Sequence, residues 1–152
     1  MRKETLRFIV FIAILFIAST LQFLSVSIFG IIPNFVLATI VAATLFLGDV
    51  WHELFLISVA LFLLKFSPVI EREMLALFAV MLLVIVLERR LPWHMFINGI
   101  FLTVFSVASL YILIDVRSIT SLMFAQELVY TLVLVSVIYY GLTSLRLFRN
   151  TR

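Results

Sequence analysis

The chain has 152 residues, 65% of them hydrophobic and only 12% charged, with a formal net charge of +3 and a mean hydropathy of +1.30. Soluble domains carry about 25% charged residues, so this composition describes a membrane domain, with no room at this length for a separate soluble module. With no cysteine, a thiol nucleophile, a disulfide framework and thiolate metal sites are excluded, and the positive charge, confined to chain ends and loops, reports membrane topology rather than a nucleic-acid surface.

Arg2, Lys3 and Arg7 precede about 40 residues, Phe8 to Gly48, without a single charged side chain. The apolar core of a cleaved signal runs to roughly 7–15 residues, so the stretch is expected to be retained. A first helix is expected over 6–29, stopped by Gly30-Ile31-Ile32-Pro33-Asn34, where Pro33 lacks an N–H and drives Ile32 out of helical geometry. A second is expected over 34–48, ending at Asp49-Val50-Trp51-His52-Glu53, and a third over 50–66, ending at Lys65 and Ser67-Pro68. A fourth over 74–87 ends at Glu88-Arg89-Arg90-Leu91-Pro92-Trp93-His94; a fifth over 95–114 ends at Asp115-Val116-Arg117-Ser118; a sixth over 119–145 leads into a tail with Arg146, Arg149 and Arg152. The expected fold is therefore all-α, a polytopic transmembrane bundle of about six helices forming one integral membrane domain over 1–152. Helices two to four, at about 14 to 17 residues, fall short of the roughly 20 that cross a hydrocarbon core. They are expected to stand in a thinned bilayer, to extend through polar ends, to be shielded by longer helices, or, for two of them, to form a re-entrant hairpin.

Six spans put both termini on one side. With that side cytoplasmic, Arg2, Lys3, Arg7, Arg89, Arg90, Arg146, Arg149 and Arg152 lie inside and only Lys65, Arg72 and Arg117 outside, the asymmetry of the positive-inside rule. Arg89, Arg90, Arg146 and Arg149 then read as anchors to anionic lipid headgroups. Trp51 and Trp93 fall at span boundaries, where amphipathic rings prefer the headgroup level.

Ionisable groups deep in a span are functional suspects. Glu127, about two turns into the sixth helix, is the foremost, as a partner contact or ligand-facing group or else as a residue reaching water near the outer interface. Asp49, His52, Glu53 and His94 suggest a metal site, but without a second closely spaced ligand pair they read as hydrated span ends. Ser19, Thr20, Gln22, Ser25 and Ser27 form a polar stripe on the first helix that suits packing better than permeation, and Ala38 and Ala42 offer a close approach on the second. No nucleophile elbow, zinc-protease helix motif, phosphate-binding glycine loop or pair of intramembrane carboxylates is present, so no enzyme and no cofactor is expected.

The basic first helix with Leu21-Gln22 near its end, the Pro33-Asn34 turn followed by Phe35-Val36-Leu37, the short apolar helices and the closing Glu127-Leu128-Val129-Tyr130 helix with its arginine tail together resemble the MreD family of bacterial rod shape-determining proteins. Asn34 stands where that family usually has an acid; Gly48 survives of its glycine steps, and Lys65 lies near where another acid falls. The resemblance implies a non-enzymatic scaffold of the cell-elongation machinery for peptidoglycan synthesis, multi-pass in the bacterial cytoplasmic membrane. It implies binding to a bitopic MreC-type protein and, through it, to wall synthases and an MreB-type filament, with Pro33, Asn34 and Glu127 as candidate partner or packing positions. The family's fold is similar to the substrate-binding subunits of energy-coupling vitamin transporters, which supplies the rival reading of a small-solute binder. A bare first outer loop, with only Asn34 as a polar group, favours the scaffold. A proton carrier using Glu127 is a third reading, one in which a relay would want further ionisable groups.

Overall fold

The computed structural model describes residues 2–27, 30–64, 72–145 and 148. Among the described residues six helices follow one another: α1 (Arg2–Phe23), α2 (Phe35–Phe46), α3 (Val50–Leu64), α4 (Arg72–Glu88), α5 (Met95–Asp115) and α6 (Leu122–Ser144), with a 3-10 turn, Val116–Thr120, between the last two. The chain is an all-α bundle. α1, α5 and α6 are long and apolar enough to cross a membrane, while α2 and α3 are shorter apolar helices.

The organising element is α2. At about 1.5 Å per residue its twelve residues rise only about 18 Å, yet every one of them is buried, and α2 contacts all five other helices. Around it α3 lies beside α1, α4 beside α3, α5 beside α4 and α6 beside α5, whereas α1 and α6 share no direct helix contact among the described residues. A helix apolar on all sides is a core helix; of the options open to a short span, shielding by longer neighbours is the one α2 adopts. Its two hydroxyls are satisfied within the helix, Thr39 Oγ1 donating to the Phe35 carbonyl at 2.9 Å and Thr44 Oγ1 to Val41 at 2.8 Å. Gly99 lets α5 approach, since a Cβ there would stand 2.9 Å from Leu45 Cδ1.

The first helix is shorter than the 6–29 expected. It begins at Arg2 and ends at Phe23, because Ser25 turns left-handed at φ 50° while Val26 N–H donates to Leu21 O and Ser25 N–H to Gln22 O, both at 3.1 Å. Those two bonds are the Schellman arrangement, with serine where glycine is usual. The sixth helix starts later than 119, the 3-10 turn taking up its expected first residues. The other described boundaries lie within two residues of expectation. The end of the third helix at Lys65 and Pro68, and the arginines Arg146, Arg149 and Arg152, lie outside the described residues.

The start of α1 and Phe148 meet at one end of the bundle, called here the terminal end. Phe148, 1% exposed, packs edge-on against Phe11 at 5.8 Å and Phe46 at 5.4 Å, with the Arg7 guanidinium 5.7 Å from its ring centre. The starts of α3 and α5 share this end, as shown by Phe8 against His52 at 4.4 Å and Phe96 against Tyr139 at 5.3 Å.

Candidate functional site

The Pro33-Asn34 turn is built by hydrogen bonds that start α2. Asn34 has φ −80° and ψ 81° and caps the helix, its side-chain oxygen accepting the Leu37 N–H at 3.0 Å. The Phe35 N–H donates to Pro33 O at 2.9 Å and also to Gln22 Oε1 at 2.9 Å. Asparagine is among the preferred helix caps, and Asn34 fills that role here. Gln22, from the polar stripe, ties the end of α1 to the start of α2.

Opposite the termini, at the far end, α5 closes on Asp115, whose carboxylate accepts the Arg117 N–H at 3.1 Å and the Ser118 hydroxyl at 2.5 Å. Ser121 then caps α6, its Oγ accepting the Phe124 N–H at 3.2 Å. These caps deliver Glu127 to the side of Tyr111, whose hydroxyl donates to Glu127 Oε2 at 2.5 Å. Arg72 of α4 donates to the Leu113 carbonyl at 3.0 Å, closing the same end.

Between these elements is a cavity of about 600 Å³ whose polar lining is Asn34, Glu73, Tyr111, Asp115, Ser118 and Glu127. The turn and the sixth-helix carboxylate singled out from sequence therefore meet in one place. Sequence reasoning weighed only the first outer loop, whose one polar group is Asn34. Glu73, Tyr111 and Ser118 come from three other elements, and only the packing of α4 and α5 against α2 brings them in.

The terminal end departs further from expectation. Asp49 and His52 pair at 3.1 Å, and His94 caps α5 through its ring nitrogen. Glu53, however, is not a hydrated span end: it is 3% exposed, as is Glu88. Glu53 Oε2 lies 3.5 Å from Arg89 Nη2, the Arg89 side chain being 39% exposed, so Arg89 is engaged by the protein as well as facing the surface. The signal was in the spacing. Glu53 shares the buried face of α3 with Leu56, Ile57 and Ala60, and Glu88 that of α4 with Met81, Val84 and Ile85, the i, i+3, i+4, i+7 pattern of one helical face. Trp51, 78% exposed, and Trp93, 50% exposed, flank this end together with exposed Arg90. Arg146 and Arg149 lie outside the described residues.

A second depression, about 520 Å³, runs along the outer surface between α5 and α6 and is lined by Ile100, Leu132, Val133, Ser136, Val137 and Tyr140. The Ser136 hydroxyl donates within its own helix to Leu132 O at 2.9 Å, which leaves the groove nearly apolar.

No group of three or more His, Cys, Asp or Glu side chains arranged to hold a metal ion occurs among the described residues. Comparison with family models, with curated proteins and with solved structures finds no match.

Proposed function

We propose that this chain is a non-enzymatic membrane scaffold of the bacterial cell-elongation machinery. In this reading it sits in the cytoplasmic membrane with both termini inside and receives the transmembrane helix of a bitopic MreC-type partner, which links it to wall synthases and an MreB-type filament. The observation that carries the reading is the central position of α2. Its twelve buried residues fill the axis of the bundle, which argues against a permeation path there and for function at the surfaces. The apolar groove beside α6, with Ile100 of α5 on its other side, is a surface that can receive a helix. In lipid, helix association rests on close packing, and a groove between two helices offers more contact than a flat face.

The test is recovery of partners from gently solubilised native membranes with tagged protein, identified by mass spectrometry. Wild-type protein is expected to bring down a bitopic MreC-type protein, and Ser136→Phe or Val137→Trp, which fill the groove, to lose it while remaining monodisperse. Undiminished recovery with both filled-groove variants removes the groove from the scheme.

A second reading, a solute-binding subunit of an energy-coupling transporter, draws support from the far-end cavity. Paired ATPase subunits with a coupling membrane protein, recovered in the same experiment, would establish that reading instead.

A further inference from the structure

The far-end cavity has the volume of a ligand site and opens to the surface, where Glu73, Ile114, Asp115 and Met123 are exposed. Small-molecule pockets span roughly 300–1,000 Å³ and combine apolar walls with a few convergent polar groups. Leu110, Ile114 and Met123 supply the apolar wall. The Tyr111 ring is held in place from two directions, edge-on by Phe124 at 5.0 Å and through its hydroxyl by Glu127.

What the pocket takes follows from which polar atoms are already engaged. Asp115 is occupied by Arg117 N–H and the Ser118 hydroxyl, the Asn34 oxygen by Leu37 N–H, and Glu127 Oε2 by Tyr111. The guanidinium of Arg72, next in sequence to Glu73, is directed to the Leu113 carbonyl. No lysine or arginine lines the cavity among the described residues. Glu73 from α4 and the second oxygen of Glu127 from α6 thus face one space as acceptors, beside an aromatic ring and an apolar wall.

We infer that this pocket binds a small organic cation, an ammonium carried on a compact apolar body, with Glu73 and Glu127 receiving the ammonium and Leu110, Ile114 and Met123 the body. An ammonium makes charge-assisted hydrogen bonds to both carboxylates, beside the Tyr111 side chain that also lines the pocket. A neutral analogue leaves two carboxylates without a counter-charge, and an anion is repelled. The inference deepens the solute-binding reading and rests on it; it is independent of the scaffold reading.

Three probes of one shape separate the possibilities: phenethylamine, 2-phenylethanol and phenylacetate, titrated calorimetrically into the full chain in lipid nanodiscs with empty nanodiscs subtracted. Phenethylamine is expected to bind saturably at one site, with Glu73→Gln and Glu127→Gln each weakening it about tenfold or more, a loss of about 1.4 kcal/mol. Glu53→Gln, at the opposite end of the bundle, is expected to leave it unchanged. Equal binding of the alcohol or the carboxylate, lost on Leu110→Trp, overturns the cationic class while keeping the pocket. Saturable binding by none of the three overturns the inference and withdraws the cavity's support from the solute-binding reading.

Discussion

The Tyr111 hydroxyl donates to Glu127 Oε2 at 2.5 Å and thereby joins α5 to α6 across the far-end cavity. A hydrogen bond to a charged acceptor contributes about 1.5–3 kcal/mol. Tyr111→Phe is expected to lower stability by about 2 kcal/mol, read as a fall in thermal midpoint in nanodiscs. Glu127→Gln is expected to cost less, since an amide oxygen still accepts. The double variant is expected to be no worse than Tyr111→Phe alone, the mark of a shared interaction; additive losses would show that the two side chains act separately.

Much of the bundle was legible because charge clusters and Pro33 punctuate apolar runs, and those signals mark where helices end. They do not say which helix lies innermost. α2 carries no charge, but neither does most of α1, and only the packing shows that one is buried on all sides while the other presents residues such as Phe16 and Ile17 outward. The Pro33-Asn34 turn and Glu127 were visible as separate features. Their meeting was not, because Asn34 and Glu127 are far apart in sequence and the residues between them, Glu73 and Tyr111, carry no local motif. Glu53 was misread for a different reason: a carboxylate at a span boundary suggests water, and that expectation overrode the helical spacing that placed it on one buried face with Leu56, Ile57 and Ala60.

Ser25 holds the left-handed position at the end of α1, with φ 50°. For an L-residue other than glycine that conformation costs on the order of 1 kcal/mol, and glycine is the usual occupant of the site. Ser25→Gly is therefore expected to stabilise the protein by about 0.5–1 kcal/mol. Ser25→Val is expected to destabilise it, because a branched side chain fits that region worst. Matched thermal unfolding of the two variants checks the sign; a loss on Ser25→Gly would show that the serine side chain contributes more than its backbone costs.

Arg89, in the turn just after α4, reaches Glu53 of α3 at 3.5 Å, the carboxylate buried and the guanidinium partly exposed. Removing one member of a buried pair costs about 3–5 kcal/mol because the other charge is stranded; exposure of Arg89 to solvent screens part of this. Arg89→Ala is expected to cost about 2 kcal/mol, and Glu53→Gln in the same chain to restore part of the loss. Denaturation of the single and double variants decides it: a double variant worse than Arg89→Ala would mean that Glu53 has other partners of comparable weight.

Gly99 is a point of close packing between α5 and the central helix, its absent Cβ leaving room for Leu45 Cδ1. Leu45 is 2% exposed, so its side chain has little freedom to withdraw. Gly99→Ala is expected to cost about 1 kcal/mol through overpacking, at the low end of such insertions because the obstructing atom ends a side chain. Leu45→Val in the Gly99→Ala background is expected to cost less than Leu45→Val alone. Equal costs in both backgrounds would show that the clash is relieved by helix displacement instead.

The lack of any native cysteine makes the orientation of the bundle directly measurable. Arg90, after α4, is exposed at the end shared with the termini, and Thr120, in the 3-10 turn before α6, is exposed at the far end. Single cysteines at these two positions should differ in their access to a membrane-impermeant maleimide. The distribution of Lys and Arg between the loops favours the terminal end inside. Arg90→Cys is thus expected to react only after cells are permeabilised, and Thr120→Cys in intact cells. The reverse pattern would invert the topology, placing the carboxylate-lined cavity on the cytoplasmic side and removing the outward-facing solute-binding reading. Labelling of both positions in intact cells would show that α5, the helix between them, does not separate them across the bilayer, against its length and apolar character.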